Sequence, residues 1–309
     1  MPAEIFGEGY HFLPKDEILS FEEISQLARI FVGLGVNKLR ITGGEPLLRT
    51  NLPRLIEMLS QIDGADDITL TTNAYLLQQQ AQQLKDAGLR RVTVSLDSLD
   101  DEIFKKLNGR GFTTQRVLEG IEKASAVGLG PIKINAVVKR GANDHTIVEL
   151  ARHFKGTGHI VRFIEYMDVG NLNGWKWDHV VGAAEIIDRI NAEMPLEPVE
   201  ANYPGEVANR YRYRDGEGEI GVIASVTQPF CGSCTRARLS TDGKIFTCLF
   251  GSEGVSLRDH LRGGAGEPEM IDLIANIWRN RSDRYSEERS ALAPNQNLDR
   301  KIEMFQIGG

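Results

Sequence analysis

The residues that invite chemistry first are the cysteines. Cys231-Gly232-Ser233-Cys234 is a C-x-x-C pair, and Cys248, the third and last cysteine of the 309-residue chain, follows after thirteen intervening residues. Two thiols three positions apart can grip one metal centre from a tight turn. An Asp242-Gly243 turn inside LSTDGKIFTCLF then folds the third thiol back toward them. Thiolates suit zinc or iron-sulfur clusters, and three of them leave a tetrahedral zinc one ligand short and a cubane with one iron free. A structural zinc completed by one of the six histidines, a zinc hydrolase site and unligated thiols are the competing readings. A thioredoxin-like redox pair fits less well, because no βαβ pattern precedes Cys231. Immediately beyond the pair, Arg236-Ala237-Arg238 places two guanidinium groups on alternating positions. Such a pair suits bidentate recognition of phosphate or of a purine edge, although an Arg-x-Arg alone is more commonly a solvated strand face.

Three further places are chemically unusual. Thr42-Gly43-Gly44-Glu45-Pro46 has glycines that let a ligand approach the backbone, without the spacing of a phosphate-binding or dinucleotide loop. Lys133 interrupts the apolar run IKINAVV, and Arg40 interrupts KLRIT. A charge on a buried strand needs a partner or a ligand, so inward-facing copies would make an anion site.

The elements that carry these residues alternate from about residue 20 to 195. Ser20-Phe21-Glu22-Glu23 predicts a capped helix through ISQLARIFVGLG. Strands are expected at 38–42, 68–73, 92–97, 132–138 and 160–167, separated by helices in LPRLIEMLSQI, LLQQQAQQLKDAG, DDEIFKKLN, TTQRVLEGIEKASAVG and HTIVELARHF, with another near AAEIIDRINAEM. Sequential βα units favour a parallel sheet, doubly wound or curled into a full or partial barrel, with ligands at the C-terminal strand ends. After Pro195 the pattern becomes RYRYRDGEGEIGVIAS, which predicts a β-hairpin, then helices in SLRDHLRG and PEMIDLIANIWRNR. A domain boundary is placed there, giving 1–195 and 196–309.

Composition excludes several function classes. Hydrophobic residues at 41% and charged residues at 26% describe a globular chain. Acidic residues exceed basic ones, 43 against 36, which argues against a protein that coats nucleic acid. No apolar run approaches membrane-spanning length and no signal peptide is read at MPAEIFGEGYHF, so the expected location is cytoplasmic.

Taken in order, RITGGEPLLR at 40–49, TTN at 71–73, SLD at 95–97, IKIN at 132–135, RFIEYMDVG at 162–170, CGSC with RAR and Cys248, and the terminal Gly308-Gly309 resemble the GTP 3′,8-cyclase family. These are radical S-adenosylmethionine enzymes of molybdenum-cofactor biosynthesis. The resemblance spans the full length. It implies an α/β fold, a partial TIM barrel of parallel βα units with a C-terminal α+β extension closing the barrel mouth. It also implies two [4Fe-4S] clusters: an N-terminal one on CxxxCxxC that cleaves S-adenosylmethionine to a 5′-deoxyadenosyl radical, and a C-terminal one that holds the guanine on a free iron. The radical takes the ribose C3′ hydrogen of GTP, and C3′ then bonds to guanine C8.

Carried onto this chain, the resemblance assigns Cys231, Cys234 and Cys248 to the C-terminal cluster. Gly44, Ser95 and Met167 would contact S-adenosylmethionine, and Arg40, Thr71, Lys133, Arg236, Ala237 and Arg238 would contact GTP. The Gly308-Gly309 tail would reach into the site. Implied partners are an accessory protein that converts the product to cyclic pyranopterin monophosphate and an external electron donor; a homodimer is left open. In the family, Met-Pro follows the third cysteine of CxxxCxxC, and this sequence begins at Met1-Pro2. The expectation is therefore a fragment whose upstream reading frame restores that motif and an arginine that helps bind GTP. As it stands the polypeptide is not expected to reduce S-adenosylmethionine. The alternative is a non-catalytic GTP-binding protein that keeps one cluster.

Overall fold

The computed structural model describes residues 13–109, 111–171, 173–289 and 301–307; the Met1-Pro2 and Gly308-Gly309 motifs lie outside them. Helix α1 (Phe21–Gly33) begins where its spacing predicts. The Ser20 hydroxyl accepts the Glu23 N–H at 3.1 Å while the Glu23 carboxylate accepts the Ser20 N–H at 2.7 Å, which satisfies two donors that a helix start leaves open. Glu23 also pairs with Arg262 at 2.7 Å, so the cap reaches a segment 239 residues away in sequence.

The alternation then runs β1 (Lys38–Ile41), α2 (Leu52–Ser60), β2 (Asp67–Thr72), α3 (Leu77–Asp86), β3 (Arg91–Ser95), α4 (Asp101–Asn108), α5 (Thr114–Ala126), β4 (Lys133–Val138), α6 (Ile147–Phe154), β5 (Ile160–Glu165) and α7 (Ala183–Glu193). Strands β6 (Leu196–Val199), β7 (Asn209–Tyr213) and β8 (Glu219–Ile223) follow. The hairpin read from RYRYRDGEGEIGVIAS is β7 with β8, and it joins the same sheet as the βα units. The strand order is β1-β2-β3-β4-β5-β8-β7-β6, with β8 parallel to β5 and β6 and β7 antiparallel. Strand β6 escaped the sequence pattern because LEPV contains Pro198. It is an edge strand, where the missing N–H of proline is tolerated.

Alternation along the strands sorts side chains between two environments. Ile68, Leu70, Val92, Val94, Ile134, Ala136, Val161 and Phe163 face the helices and form the main core. The opposite faces carry Arg40, Thr71, Thr93, Lys133, Asn135 and Arg162 and look into a partial TIM barrel.

Beyond the barrel sheet, β9 (Arg238–Leu239), β10 (Lys244–Phe246) and β11 (Val255–Ser256) form a small antiparallel sheet. The Asp242-Gly243 turn joins β9 to β10. Gly243 has φ +81°, and a Cβ there would run into Arg258 and Leu19, so only glycine fits. Helices α8 (Leu257–Arg262), α9 (Glu267–Arg279), α10 (Tyr285–Glu288) and α11 (Met304–Ile307) complete the described chain. Leu257, Met270 and Ile274 pack with Leu27 and Ile30 of α1 in a second core.

Candidate active site

The barrel interior is built by period-two alternation that brings cations from four strands to one lumen. Arg40 of β1 donates to Thr71 Oγ1 of β2 at 3.5 Å. Arg162 of β5 donates to Asn135 Oδ1 at 2.9 Å and to Thr93 Oγ1 at 3.5 Å. Lys38, Arg91 and Lys133 share this interior, and among the described residues Asp67 alone makes ion pairs with the set, to Lys38 at 3.6 Å and to Arg91. Five cations thus have a single ion-pairing carboxylate among the described residues.

The electrostatic strain is visible in the acidities. Burial, then the repulsion of Arg162, Arg91 and Lys38, brings Lys133 down to about 8. Burial, then Arg40, brings Arg162 to about 10. Arg40 keeps contact with solvent, yet the protein crowded around its guanidinium, then the charges of Arg91 and Arg236, lower its pKa. A concave site that concentrates unbalanced positive charge is fitted to a polyanion.

At the strand ends, Glu45 ties the first two βα turns together. Its carboxylate accepts from Thr72 Oγ1 at 2.7 Å, Asn73 N at 2.8 Å and Leu47 N at 3.1 Å. That anchoring holds the adjacent Gly43-Gly44 turn in place. A side chain on Gly43 would meet no atom within 4 Å, so the turn borders open space. Asn143 performs the same office for β3 and β4, donating to the carbonyl oxygens of Asp97 at 2.7 Å and Val137 at 2.9 Å. The Asp97 carboxylate accepts from Val137 N at 2.8 Å, and burial pushes its pKa up to about 6.

The cysteine segment comes near the lumen through Arg236, whose charge acts on Arg40. Cys231–Ser233 forms one short helical turn closed by Cys234 N–H to the Cys231 carbonyl at 3.2 Å. All three thiols are free and half-buried. Burial by itself would raise Cys234, but the Arg236 charge and hydrogen bonds from Arg281 and Arg236 outweigh it and bring the thiol down to about 7. Arg236 donates to Cys234 Sγ at 3.4 and 3.3 Å, and Arg281 to the Cys234 carbonyl at 2.6 Å. Arg238 and Arg281 each feel both Cys234 and Cys248, and Cys231 acts on Cys248. Among the described residues no three His, Cys, Asp or Glu side chains are gathered to hold one metal ion. A cubane binds each thiolate on a different iron and does not ask them to meet at a point. Three thiols in a cationic surround match the anionic core of such a cluster.

The mouth is tied to the chain end by a buried polar hub. Asp168, directly after Met167, accepts from Arg289 Nε at 2.8 Å, Lys301 Nζ at 2.8 Å and Tyr285 Oη at 2.5 Å. Burial opposes the charged carboxylate, but these donors hold its pKa below the usual value. Ile302 N–H also reaches the Gly251 carbonyl at 3.2 Å, so the 301–303 segment bridges the end of β5 and the loop after Cys248.

Two family models divide the chain: Radical SAM superfamily matches residues 5–154 and Molybdenum Cofactor Synthesis C matches 159–287. The GTP 3′,8-cyclase of Acidothermus cellulolyticus is 50% identical over all of this chain and 91% of its own length. That of Xanthomonas campestris pv. campestris (strain B100) is 48% identical over all of this chain and 89% of its own. The chain belongs to the GTP 3′,8-cyclase family. AdoMet-bound anSMEcpe, at a TM-score of 0.53 and 13% identity over 90% of this chain and 72% of that one, shares the fold.

As a radical SAM enzyme of this cyclase family, the chain works with S-adenosylmethionine and iron-sulfur chemistry. Of the residues read from the sequence, Arg40, Thr71 and Lys133 share the lumen, and Arg236 and Arg238 flank the cysteines with Ala237 between them. Gly44, Ser95 and Met167 stand at or just past the C-terminal ends of β1, β3 and β5, at the same end of the barrel. Sequence reasoning passed over Lys38, Arg91, Arg162 and Arg281. Arg162, the one basic residue in IVRFIEYM, carried the same signal as Lys133. No helix among the described residues is long and apolar enough to cross a membrane.

Proposed function

We propose that this chain binds GTP and, with its full cofactor set, cyclises it to 3′,8-cyclo-7,8-dihydro-GTP by forming a bond between ribose C3′ and guanine C8. The observation that carries the reading is the lumen of five cations and one pairing carboxylate, which opens beside Arg236, Arg238 and the three cysteines.

In this reading Arg40, Lys133 and Arg162 bind the triphosphate, oriented by Thr71, Thr93 and Asn135, whose hydrogen bonds fix the guanidinium planes before the ligand arrives. Arg238, on which the charges of Cys234 and Cys248 act, bridges toward the base. Cys231, Cys234 and Cys248 would hold a [4Fe-4S] cluster that supplies, when bound, one iron open to a purine atom. Gly44, Ser95 and Met167 line the end of the barrel where S-adenosylmethionine would lie.

Anaerobic titration calorimetry on protein reconstituted with iron and sulfide tests the binding half: GTP should bind far more tightly than guanosine, and equal affinities would overturn the assignment. The chemical half is tested on the full-length protein, reconstituted anaerobically and supplied with S-adenosylmethionine. Formation of 5′-deoxyadenosine with GTP and a reductant supports the cyclase reading. GTP binding without it leaves a binding protein.

A further inference from the structure

Strands β1 and β6 are the two free edges of the barrel sheet, and the turn after β6 reaches back across the gap between them. The Tyr203 ring packs over Lys38 Nζ of β1, 5.3 Å from its centroid. Gly205, at φ +81°, passes so near the cysteine loop that a Cβ would meet the Ser233 carbonyl oxygen at 3.0 Å and Thr235 Oγ1 at 3.1 Å. Glu206 folds back onto its own turn, its carboxylate accepting from Asn202 N at 2.7 Å and Asn202 Nδ2 at 3.3 Å. One short turn therefore touches the first strand, braces the C-x-x-C loop and carries the half-buried Glu206. That carboxylate acts through space on Lys133 and Arg162 and favours their charged forms.

We propose that Glu206 is a specificity-determining residue of the anion site: its fixed negative charge opposes an incoming polyphosphate in proportion to the ligand's charge, so that a triphosphate is bound without being trapped. The inference rests on the reading of the lumen as the GTP phosphate site. Its physical basis is that Coulomb repulsion from a group held outside contact distance scales with the charge of the ligand and is indifferent to an uncharged one. A residue that merely shaped the pocket would affect guanosine and GTP alike.

The test uses the reconstituted full chain, with guanosine, GMP, GDP and GTP titrated at low and high salt. Glu206→Gln retains an acceptor for Asn202 and removes the charge. It should tighten GTP by about three- to tenfold at low salt, with smaller gains for GDP and GMP, none for guanosine, and a compressed series at high salt. Glu206→Asp, which keeps the charge, should behave like the unaltered protein. An unchanged series, one common factor across all four ligands, or equal behaviour of the two variants would overturn the assignment. Loss of phosphate dependence in the unaltered protein would sink the anion-site reading, and this inference with it, independently of either variant.

Discussion

Lys133 offers a direct readout of occupancy, because its proton is held weakly in the empty lumen. Burial, then Arg162, Arg91 and Lys38, bring it from 10.5 down to about 8. The folded protein therefore binds fewer protons than the unfolded chain between pH 8 and 10.5. The cost of burying the charge is fully present below pH 8 and is relieved as pH rises through that window. A polyphosphate reverses the situation: it offsets the neighbouring cations and returns Lys133 toward an ordinary lysine. At pH 8 half of the empty sites lack the proton and nearly all complexes hold it, so binding should take up about half a proton per GTP, and about a tenth at pH 7. Affinity should correspondingly fall as pH climbs above 8. Calorimetry in buffers of different ionisation enthalpy measures the uptake, and Lys133→Met should remove it while weakening binding. Zero uptake at pH 8, or equal uptake in Lys133→Met, would refute the reasoning.

Cys234→Ala should lower the iron and sulfide content and weaken GTP binding, whereas Arg238→Ala should weaken binding with iron content unchanged; metal analysis beside calorimetry separates the two. Asp168→Ala strands Arg289 and Lys301 in the interior and should cost about 3–5 kcal/mol in chemical denaturation, more than Asp168→Asn. Since the Asp168 pKa is depressed in the fold, its contribution is present above the ordinary Asp value and should fade as pH falls through the folded one. Ser20→Ala removes one arm of the α1 cap and should cost about 1 kcal/mol by the same measurement.

The barrel strands were legible because their outer faces must bury against helices: Ile68, Leu70, Val92 and Val94 announce themselves by type and spacing. Lys133 and Arg40 were legible as charges inside apolar runs. Lys38 and Arg91 were not, since a cation at the first residue of a strand reads as a solvated end, and its inward direction depends on how the sheet curls. Arg281 lies 47 residues from the Cys234 carbonyl it binds, a contact that only the packing of α9 creates. The cap at Ser20 and the Asp242-Gly243 turn are local chemistry and were readable outright. Strand β6 was hidden by Pro198, whose tolerance depends on which strand forms the sheet edge.

Helix α1 serves two masters. Ala28 belongs to the main core, while Leu27 and Ile30 belong to the second one with Met270 and Ile274. Helices α8 and α9 thus rest on a surface that α1 supplies. A break in the chain near its middle would therefore not yield two independent halves: the later half would carry an oily, unpaired flank, and adding back the earlier half should restore its solubility.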